Sequence, residues 1–352
     1  MFSLVTFATF NAYSNGVFFE QRKDAIVDEI VKLNADVICL QEAIPELIEL
    51  VDKALNGDTQ ESETDTDKMP TAHGGNKYGV WTKYDAVTDQ DIFPEQYCAS
   101  GMKIMLNYGY MCIFSRYPII ENDLVFKGSY FDEGIMRARV DISDSVGKGG
   151  VLVDVYCVHF KGGSFGGDEE RKQYLADSRR YEAALLVDDV RKQLGFDSNV
   201  DADRICSDYA VILGDFNSDG NNPRTYPEIA MYPDKALGEN AIDCWEIHKW
   251  HKAEDVRIGA TESHKHNHFR DFLKPGQNRE ARFDRIMVCS SRKLDANKIC
   301  SSVNLFGNKE LVRPLDKESA DKVCTRKRNM PPLFLSDHFG VVAKIVLHKY
   351  KS

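Results

Sequence analysis

Side chains that can hold a divalent cation or move a proton stand at the ends of several short apolar runs of this 352-residue chain. Oxygen ligands suit Mg²⁺, and strands that end in such ligands hold them at fixed positions. The pattern therefore indicates a hard-cation site of the kind that phosphoester chemistry uses. The residues are Asn11 in TFATFN, Glu42 in ADVICLQE, His159 in VLVDVYCVH, Asp215 and Asn217 in YAVILGDFN, Asp284 in ARFDRIMV, and Asp337 and His338 in LSDHFGVV.

Each of these places also has an ordinary structural explanation. A carboxylate after a strand commonly caps a helix or lies in a solvated turn. Three of the four residues at 214–217 (GDFN), the glycine, the aspartate and the asparagine, are common in turns. His159 and His338 could be hydrogen-bonded histidines near the surface. Only their occurrence together in one chain favours a common site.

The elements that must position these side chains can be predicted from hydrophobic periodicity. Helical periods predict three helices, at 22–33, 44–55 and 169–194. Several predicted strands follow one another without an intervening helix, which favours two stacked sheets with helices outside over a parallel doubly wound sheet. The predicted strands cover 4–10, 36–40, 110–114, 135–140, 151–158, 209–213, 283–288 and 340–346.

The chain shows no internal repeat and no linker, so we expect a single domain over 1–352. Residues 56–76 are acidic, polar and turn-rich, which predicts a flexible surface loop because they bury too little to offset their ordering entropy. Residues 261–280 also lack periodicity and carry His264, His266 and His268 at alternate positions. Without a nearby cysteine, these histidines are more typical of a polar loop than of a transition-metal site.

Composition bears on partners and cellular setting. The chain has 45 basic and 55 acidic residues and thus a net charge of −10, so its overall charge does not favour binding to nucleic acid. Net charge does not exclude a local basic groove. No apolar run approaches the roughly 18 to 20 residues of a membrane span, and the N-terminus lacks the features of a signal peptide. Nine cysteines without a CxxC pair favour a reduced, cytoplasmic or nuclear protein over a secreted one with disulfides.

Taken together, the motifs resemble the endonuclease/exonuclease/phosphatase superfamily of DNase I-like, metal-dependent phosphoesterases. FATFN, ICLQE, VYCVHF, ILGDFN, RFDRI and LSDHFG occur in the family's order between Asn11 and His338. The resemblance implies an α/β (α+β) fold, a four-layer αββα sandwich of two stacked mixed β-sheets flanked by helices. It also implies an active site at one edge of the two central sheets, and an enzyme rather than a degenerate scaffold.

The resemblance further implies a Mg²⁺ cofactor, with Mn²⁺ as an alternative ion. Glu42, with Asn11 nearby, would bind the metal, and Asp337 would lie close to the metal or to the catalytic base. Oxygen ligands suit Mg²⁺, Mn²⁺ and Ca²⁺ alike, so the residue types do not choose among these ions.

Five catalytic residues are implied in the same way. Asp215 would orient the attacking water, and Asn217 would hold a phosphate oxygen of the substrate. His338 would act as general base or stabilise the transition state, with Asp284 fixing its tautomer. His159 would donate to the non-bridging oxygen on which charge builds. These groups and a metal meet the needs of water attack on a phosphodiester.

The motifs conflict on the substrate. Residues 109–142 resemble sphingomyelinase-like lipid phosphodiesterases of the phospholipase C type, and a zwitterionic lipid suits the acidic chain better than a polyanionic duplex does. LQEAIPELIEL, AIDCWEIHKW and SVNLFGNKEL instead resemble tyrosyl-DNA phosphodiesterase 2. We expect a lipid phosphodiester first, with peripheral membrane contact, then a nucleic acid, then a phosphomonoester. The oligomeric state is not indicated.

Two basic features could contribute to substrate binding. Arg137 and Arg139 lie two apart in IMRARV and therefore on one face of a strand. Arg137 is expected to bind substrate together with Asn217 and His159, and a structural salt bridge is the ordinary alternative. The basic run 322–328 could form an electropositive rim, with a solvated loop as its alternative.

Overall fold

The computed structural model describes residues 2–14, 18–56, 79–80, 110–127, 133–142, 150–163, 168–196, 205–248, 259–311 and 333–349. The loop predicted at 56–76 lies outside these residues apart from Asn56, and the basic run at 322–328 lies outside them entirely. The strands of the described residues are, in chain order, β1 (Phe2–Asn11), β2 (Val37–Ala43), β3 (Gly79–Val80), β4 (Tyr110–Ser115), β5 (Ile119–Lys127), β6 (Gly134–Ile142), β7 (Val151–His159), β8 (Tyr209–Asp215), β9 (Ala241–Asp243), β10 (Glu262–Ser263), β11 (Glu280–Ala281), β12 (Asp284–Cys289), β13 (Cys300–Phe306) and β14 (Gly340–His348).

Three long helices and several short ones complete the described secondary structure. None of the helices found there is both long enough and apolar enough to cross a membrane. The predicted region 261–280 is ordered rather than irregular, since it contains two short strands and a helix. The helices are α1 (Phe19–Leu33), α2 (Pro45–Asn56), α3 (Glu169–Gln193), α4 (Pro233–Ala236), α5 (Cys244–His248), α6 (His268–Leu273) and α7 (Ala296–Ile299), with 3₁₀ turns at Pro227–Met231 and Gly238–Asn240.

All eight predicted strands and all three predicted helices are present, with ends within three residues of the predicted ones. The longest strand without a sequence signal is β5, none of whose residues is fully buried. It lies at the edge of its sheet, where polar residues are tolerated on both faces. Its sequence, IIENDLVFK, therefore has no continuous apolar run and no strict alternation.

The strands form two six-stranded mixed sheets. The first has the order β13-β14-β1-β2-β4-β3 and the second the order β5-β6-β7-β8-β12-β9. In the first sheet β1 and β2 are parallel, and in the second β7 and β8 are parallel. The other adjacent strand pairs of these two sheets are antiparallel. Each sheet therefore contains both parallel and antiparallel pairs, as expected. β10 and β11 form a separate two-stranded sheet.

Three apolar layers hold the fold together. The innermost lies between the sheets, where side chains such as Phe7 of β1 and Val155 of β7 are fully buried. A second layer packs Ile26 and Ile30 of α1, with α2, on the outer face of the first sheet. A third packs Leu186 and other residues of α3 on the outer face of the second. The result is the predicted four-layer αββα sandwich, with α/β composition.

Strand direction brings the candidate residues to one edge of this sandwich. The parallel strands β1 and β2 end there, and so do the parallel strands β7 and β8. β12 runs antiparallel to β8, so that its first residue, Asp284, lies opposite Asp215, the last residue of β8. β14 runs antiparallel to β1 and begins at Gly340, directly after the segment that carries Asp337 and His338.

Candidate active site

The edge at which these strands end encloses a cavity of about 660 Å³. Its walls carry side chains from both sheets, although the chain segments involved are far apart in sequence. The predicted convergence of distant segments into one acidic pocket is therefore found. The predicted residues that line it are Glu42, His159, Asp215, Asn217, Asp337 and His338.

Asn11 links the two sheets at the bottom of the site. Its side chain is fully buried, and Nδ2 donates to Oε1 of Glu42 at 2.9 Å and to Oδ2 of Asp215 at 3.1 Å. Its Oδ1 accepts a hydrogen bond from the main-chain N–H of Tyr13 at 3.1 Å. In this arrangement Asn11 positions two carboxylates, and its predicted role as a metal ligand stays a prediction.

Glu42 reaches the cavity through an unusual backbone conformation. Its φ of 48° lies in the left-handed region, and the pairing of β2 with β4 is irregular between Leu40 and Ala43. For a residue without glycine's freedom this conformation costs of order 1–3 kcal/mol, and such strain clusters at functional sites. The bulge turns Glu42 out of the sheet, which leaves its side chain 18% exposed to the cavity.

The turn after β8 holds Asp215 and Asn217. Gly214 has a φ of 146°, and a Cβ atom there would lie 1.9 Å from the carbonyl oxygen of Val158, so only glycine fits. Oδ1 of Asp215 accepts from the main-chain N–H of Asn217 at 2.7 Å. Asn217, with a φ of 49°, donates through Nδ2 to the carbonyl of Phe160 at 2.9 Å. The turns after β7 and β8 are thereby tied together.

His338 and Asp284 form a buried pair. Nδ1 of His338 donates to Oδ2 of Asp284 at 2.8 Å and lies 3.9 Å from Oδ2 of Asp215. Burial alone would lower the pKa of His338, but the charges of Asp284 and Asp215 outweigh it and raise the pKa well above its usual value of 6.5. The pair fixes the orientation of the imidazole and leaves Nε2 for chemistry.

His159 lies beside the two carboxylates that Asn11 holds. Its Nε2 is 3.9 Å from Oε1 of Glu42 and 3.7 Å from Oδ2 of Asp215, and the residue is nearly buried. The register of β7 and β8 places His159 directly beside Asp215. This nitrogen can therefore approach an oxygen of a group bound at these acids.

The donor set fits a divalent cation at Glu42 and Asp215. Two carboxylate oxygens meet at one amide, and such oxygens are the ligands that Mg²⁺ and Mn²⁺ take. Ligand-capable atoms of Asp215, Asp284 and His338 also lie within 4.8 Å of one another. That second grouping is better explained as a hydrogen-bonded pair next to Asp215, because Asp284 already engages Nδ1 of His338.

Asp337 lines the cavity next to His338, and its carboxylate is paired with an arginine. Its Oδ2 accepts from Nη1 of Arg270 at 2.6 Å, and its Oδ1 accepts from Oγ of Ser336 at 3.3 Å. Asp337 lines the cavity, yet a metal there would have to compete with a guanidinium. Its predicted role beside the metal stays a prediction, and this ion pair weighs against direct ligation.

Arg137 does not reach the cavity. It is buried on β6, where Nη1 donates to Asp154 at 3.1 Å and Nη2 donates to Glu121 at 2.6 Å. Arg139, two residues on, shares both of these acids. The predicted substrate-binding role of Arg137 is therefore corrected: the salt-bridge alternative describes both arginines, which neutralise a fully buried Asp154.

Sequence reasoning missed one wall of the cavity. This wall comes from the segment 262–279 and carries Glu262, Arg270, Lys274 and Arg279. A usable signal was present, since a polar segment with alternating acids and arginines stands directly before RFDRI. The three histidines of this segment, His264, His266 and His268, do not line the cavity.

Those three histidines do not form a cluster. His264 is buried, and its ring Nδ1 lies 3.2 Å from the carbonyl of Arg279. His266 and His268 are exposed, and His268 packs near the ring of Phe334. Within the described part of the chain, the only grouping with metal-ligand geometry excludes all three.

Glu133 also lines the cavity without a sequence signal. Its Oε2 lies 2.9 Å from Nζ of Lys161, and its Oε1 accepts from the main-chain N–H of Gly162 at 3.1 Å. Burial raises the pKa of Glu133, although Lys161 opposes this shift. This contact holds the turn after β7 against the start of β6.

Arg22 of α1 ties together segments that carry the site. Its guanidinium is fully buried and donates to the carbonyls of Ala12 at 3.3 Å, of Tyr13 at 2.7 Å and of Leu335. It also lies 5.2 Å from the ring centre of Phe269. Arg22 therefore holds the end of β1 against the segment that precedes Asp337 and His338.

Comparison with known proteins agrees with this architecture. A family model described as Endonuclease/Exonuclease/phosphatase family matches residues 8–338. No protein with a curated description matches the chain.

Solved structures share the fold at low identity. Truncated TDP2 from Caenorhabditis elegans is 16% identical with a TM-score of 0.56, and the match covers 97% of each chain. A beta toxin from Staphylococcus aureus is 15% identical with a TM-score of 0.57, over 96% of this chain and 99% of that one. A mannosyl-6-phosphatase from Bacteroides thetaiotaomicron is 15% identical with a TM-score of 0.53, over 97% and 100%. Because the family model spans nearly the whole sequence, the chain belongs to the endonuclease/exonuclease/phosphatase family of phosphoester hydrolases.

Proposed function

We propose that this protein is a Mg²⁺-dependent phosphodiesterase that hydrolyses a P–O bond by attack of water. The observation that carries this proposal is the convergence of Glu42 and Asp215 on the amide of Asn11, with the Asp284–His338 pair beside them. Glu42 and Asp215 would hold the cation. When bound, Mg²⁺ would supply Lewis-acid neutralisation of phosphoryl charge.

The side chains around these acids divide the remaining work. Asp215 is held on both sides, through Oδ1 by Asn217 and through Oδ2 by Asn11, so its carboxylate can orient a water molecule. His159 can donate to a non-bridging oxygen as charge develops there. His338, oriented by Asp284 through Nδ1, can serve as general base or stabilise the transition state; the charges of Asp284 and Asp215 raise its pKa, which favours the second role.

Hydrolysis of bis(p-nitrophenyl) phosphate tests this proposal. We expect Mg²⁺-dependent release of p-nitrophenol that EDTA abolishes, and a fall of roughly 10² to 10³ in kcat for Glu42→Gln or His338→Ala, as for a lost transition-state donor. Glu46→Gln and His266→Ala are matched controls, because both residues lie outside the described cavity. Near-normal turnover by a folded Glu42→Gln or His338→Ala protein would contradict the site assignment.

The two leading substrate classes place different demands on the cavity. The quaternary ammonium of a choline lipid is best received by acids or aromatic faces. The wall formed by Arg270, Lys274 and Arg279 is cationic instead and suits a substrate with additional negative charge. We therefore place a nucleic-acid phosphodiester ahead of the sphingomyelinase-like lipid phosphodiester that the sequence favours.

A substrate panel at fixed Mg²⁺ decides between them. It comprises sphingomyelin micelles, single-stranded and duplex DNA, 5′-phosphotyrosyl DNA and inositol phosphates. Faster turnover of a nucleic acid than of sphingomyelin is expected, and the reverse order would restore the lipid assignment. Inositol phosphates test the phosphomonoesterase alternative.

A further inference from the structure

We infer that Lys274 and Arg279 form a subsite for a second phosphate group of the substrate, distinct from the phosphodiester that is cleaved. This inference rests on the proposed phosphodiesterase function and adds a specificity-determining site to it. Both side chains line the cavity that contains Glu42 and Asp215. They come from the segment 262–279, which lies outside the sequence motifs and whose charge has so far served only to rank the substrate classes.

This wall of the cavity carries a net positive charge. Glu262 is a fully buried acceptor for two guanidinium groups: Nη2 of Arg270 lies 2.8 Å from its Oε1, and Nη2 of Arg279 lies 2.6 Å from the same atom. Asp337 provides Arg270 with a second carboxylate at 2.6 Å. Two acids thus face two arginines and a lysine, which leaves one positive charge in excess at this wall of the cavity.

Lys274 lies where an anion that enters the cavity can reach it. It follows the last turn of α6 and is exposed where it lines the cavity. Burial of part of the side chain lowers its pKa, and the positive charge of Arg270 adds to this effect. An ammonium among other cations gains most from an anion, and a phosphate can accept from Lys274 and a guanidinium together.

The cavity has room for more of the substrate than the phosphodiester that is cleaved. The main cavity, at about 660 Å³, has the volume of a site for a whole small ligand rather than for one phosphoryl group. Arg279 also lines a neighbouring cavity of about 460 Å³, whose walls include Asn222, Thr225 and Asn278. A substrate that extends from Asp215 past Lys274 therefore meets further polar groups. The second phosphate could be an internucleotide phosphodiester or a terminal phosphomonoester.

The test compares matched substrates. One is the p-nitrophenyl ester of thymidine 5′-phosphate, and the second is the same compound with an added 3′-phosphate. A third carries a thymidine through a 3′ phosphodiester, which separates an internucleotide phosphate from a terminal one. For each we would measure kcat/KM for p-nitrophenol release by the wild type, Lys274→Met, Lys274→Arg and Lys298→Met, the last being an exposed lysine on α7.

We expect the wild type to prefer the substrates with a second phosphate, and Lys274→Met to reduce that preference about fivefold, which is about 1 kcal/mol. Lys274→Arg should retain most of the preference, and Lys298→Met should leave it unchanged. Equal loss on all three substrates, or an unchanged preference in Lys274→Met, would overturn the subsite. Greater preference for the 3′-phosphodiester assigns an internucleotide phosphate, and greater preference for the 3′-phosphate assigns a terminal one.

Calorimetric binding of thymidine 3′,5′-bisphosphate in EDTA separates this inference from the proposed function. Weaker binding by Lys274→Met than by Lys298→Met supports the subsite, whether or not a p-nitrophenyl ester is hydrolysed. If none is hydrolysed, only the phosphodiesterase proposal fails. Hydrolysis by the wild type together with identical binding by both variants overturns the subsite and leaves the function standing.

Discussion

Replacing Arg22 by methionine tests how the site is held together, without touching any group that meets the substrate. Methionine keeps much of the side-chain volume but removes the donors that Arg22 gives to the carbonyls of Ala12, Tyr13 and Leu335. These carbonyls belong to the end of β1 and to the segment before His338. The change should therefore loosen one segment relative to the other.

The expected magnitude follows from opposing terms. The net contribution of a hydrogen bond from a charged donor is roughly 1.5–3 kcal/mol, with the exchange against water already included, so three such bonds would sum to about 6 kcal/mol. The bond to Ala12 is long at 3.3 Å, and in the described surroundings the buried Nε has no hydrogen-bond partner, which offsets part of that gain. We therefore expect Arg22→Met to lower the free energy of unfolding by about 3 kcal/mol.

Urea denaturation followed by circular dichroism measures this change, with Arg224→Met as an exposed control that should shift stability by less than about 0.5 kcal/mol. In parallel, kcat for bis(p-nitrophenyl) phosphate should fall by at least about tenfold under conditions where the variant is fully folded. Arg22→Lys should recover part of the stability, since one ammonium can still donate to two carbonyls. A loss below about 1 kcal/mol with unchanged kcat would show that Arg22 does not hold these segments.

Three further substitutions have expected outcomes. Asp284→Asn removes a negative charge that raises the pKa of His338, so this pKa should fall; in an NMR titration of the metal-free protein, an unchanged pKa would count against the pair. The pKa of His338 is higher in the folded protein than in the unfolded chain, so the protonated imidazole stabilises the fold. This contribution is complete below about pH 6.5, the unfolded pKa, and is lost as the pH rises through the pKa of the folded state. Asp284→Asn should therefore make the free energy of unfolding less dependent on pH in this range. Glu42→Gln should weaken Mg²⁺ binding about tenfold or more by calorimetry, whereas Glu46→Gln should not. Arg137→Met should destabilise the fold by about 3 kcal/mol, because it leaves the buried Asp154 with fewer partners. The KM for bis(p-nitrophenyl) phosphate should stay unchanged. A selective rise in KM would restore the predicted role of Arg137 in substrate binding.

The sequence predicted the long elements and the candidate residues because both leave local signals. Runs such as YAVILGD are buried along their whole length, and the motif residues follow them directly. Glycine at position 214 was recognisable as part of a turn, although the need for it, the close approach of Val158, appears only in three dimensions. Local patterning was thus sufficient for β1, β2, β4, β6, β7, β8, β12 and β14.

The remaining features depend on contacts between distant segments. Nothing local distinguishes Arg137, which neutralises Asp154, from an arginine that binds phosphate. Likewise, Asn11 could have offered either its oxygen or its nitrogen to the site, and only the approach of Glu42 and Asp215 decides this. The cationic wall was missed because Arg270 lies on a helix of only six residues and Lys274 directly follows it, which is too short a segment for a periodic signal.

The amide of Asn11 spans the seam between the two sheets, since it joins β1 and β2 of one sheet to β8 of the other. A slip of one sheet over its partner by even an ångström would pull one carboxylate away from that nitrogen. Overpacking or cavities deep in the interlayer core, around Phe7 or Val155, should therefore register at the cation pocket before the protein unfolds. The affinity for the divalent cation would then report how the two sheets are aligned with each other.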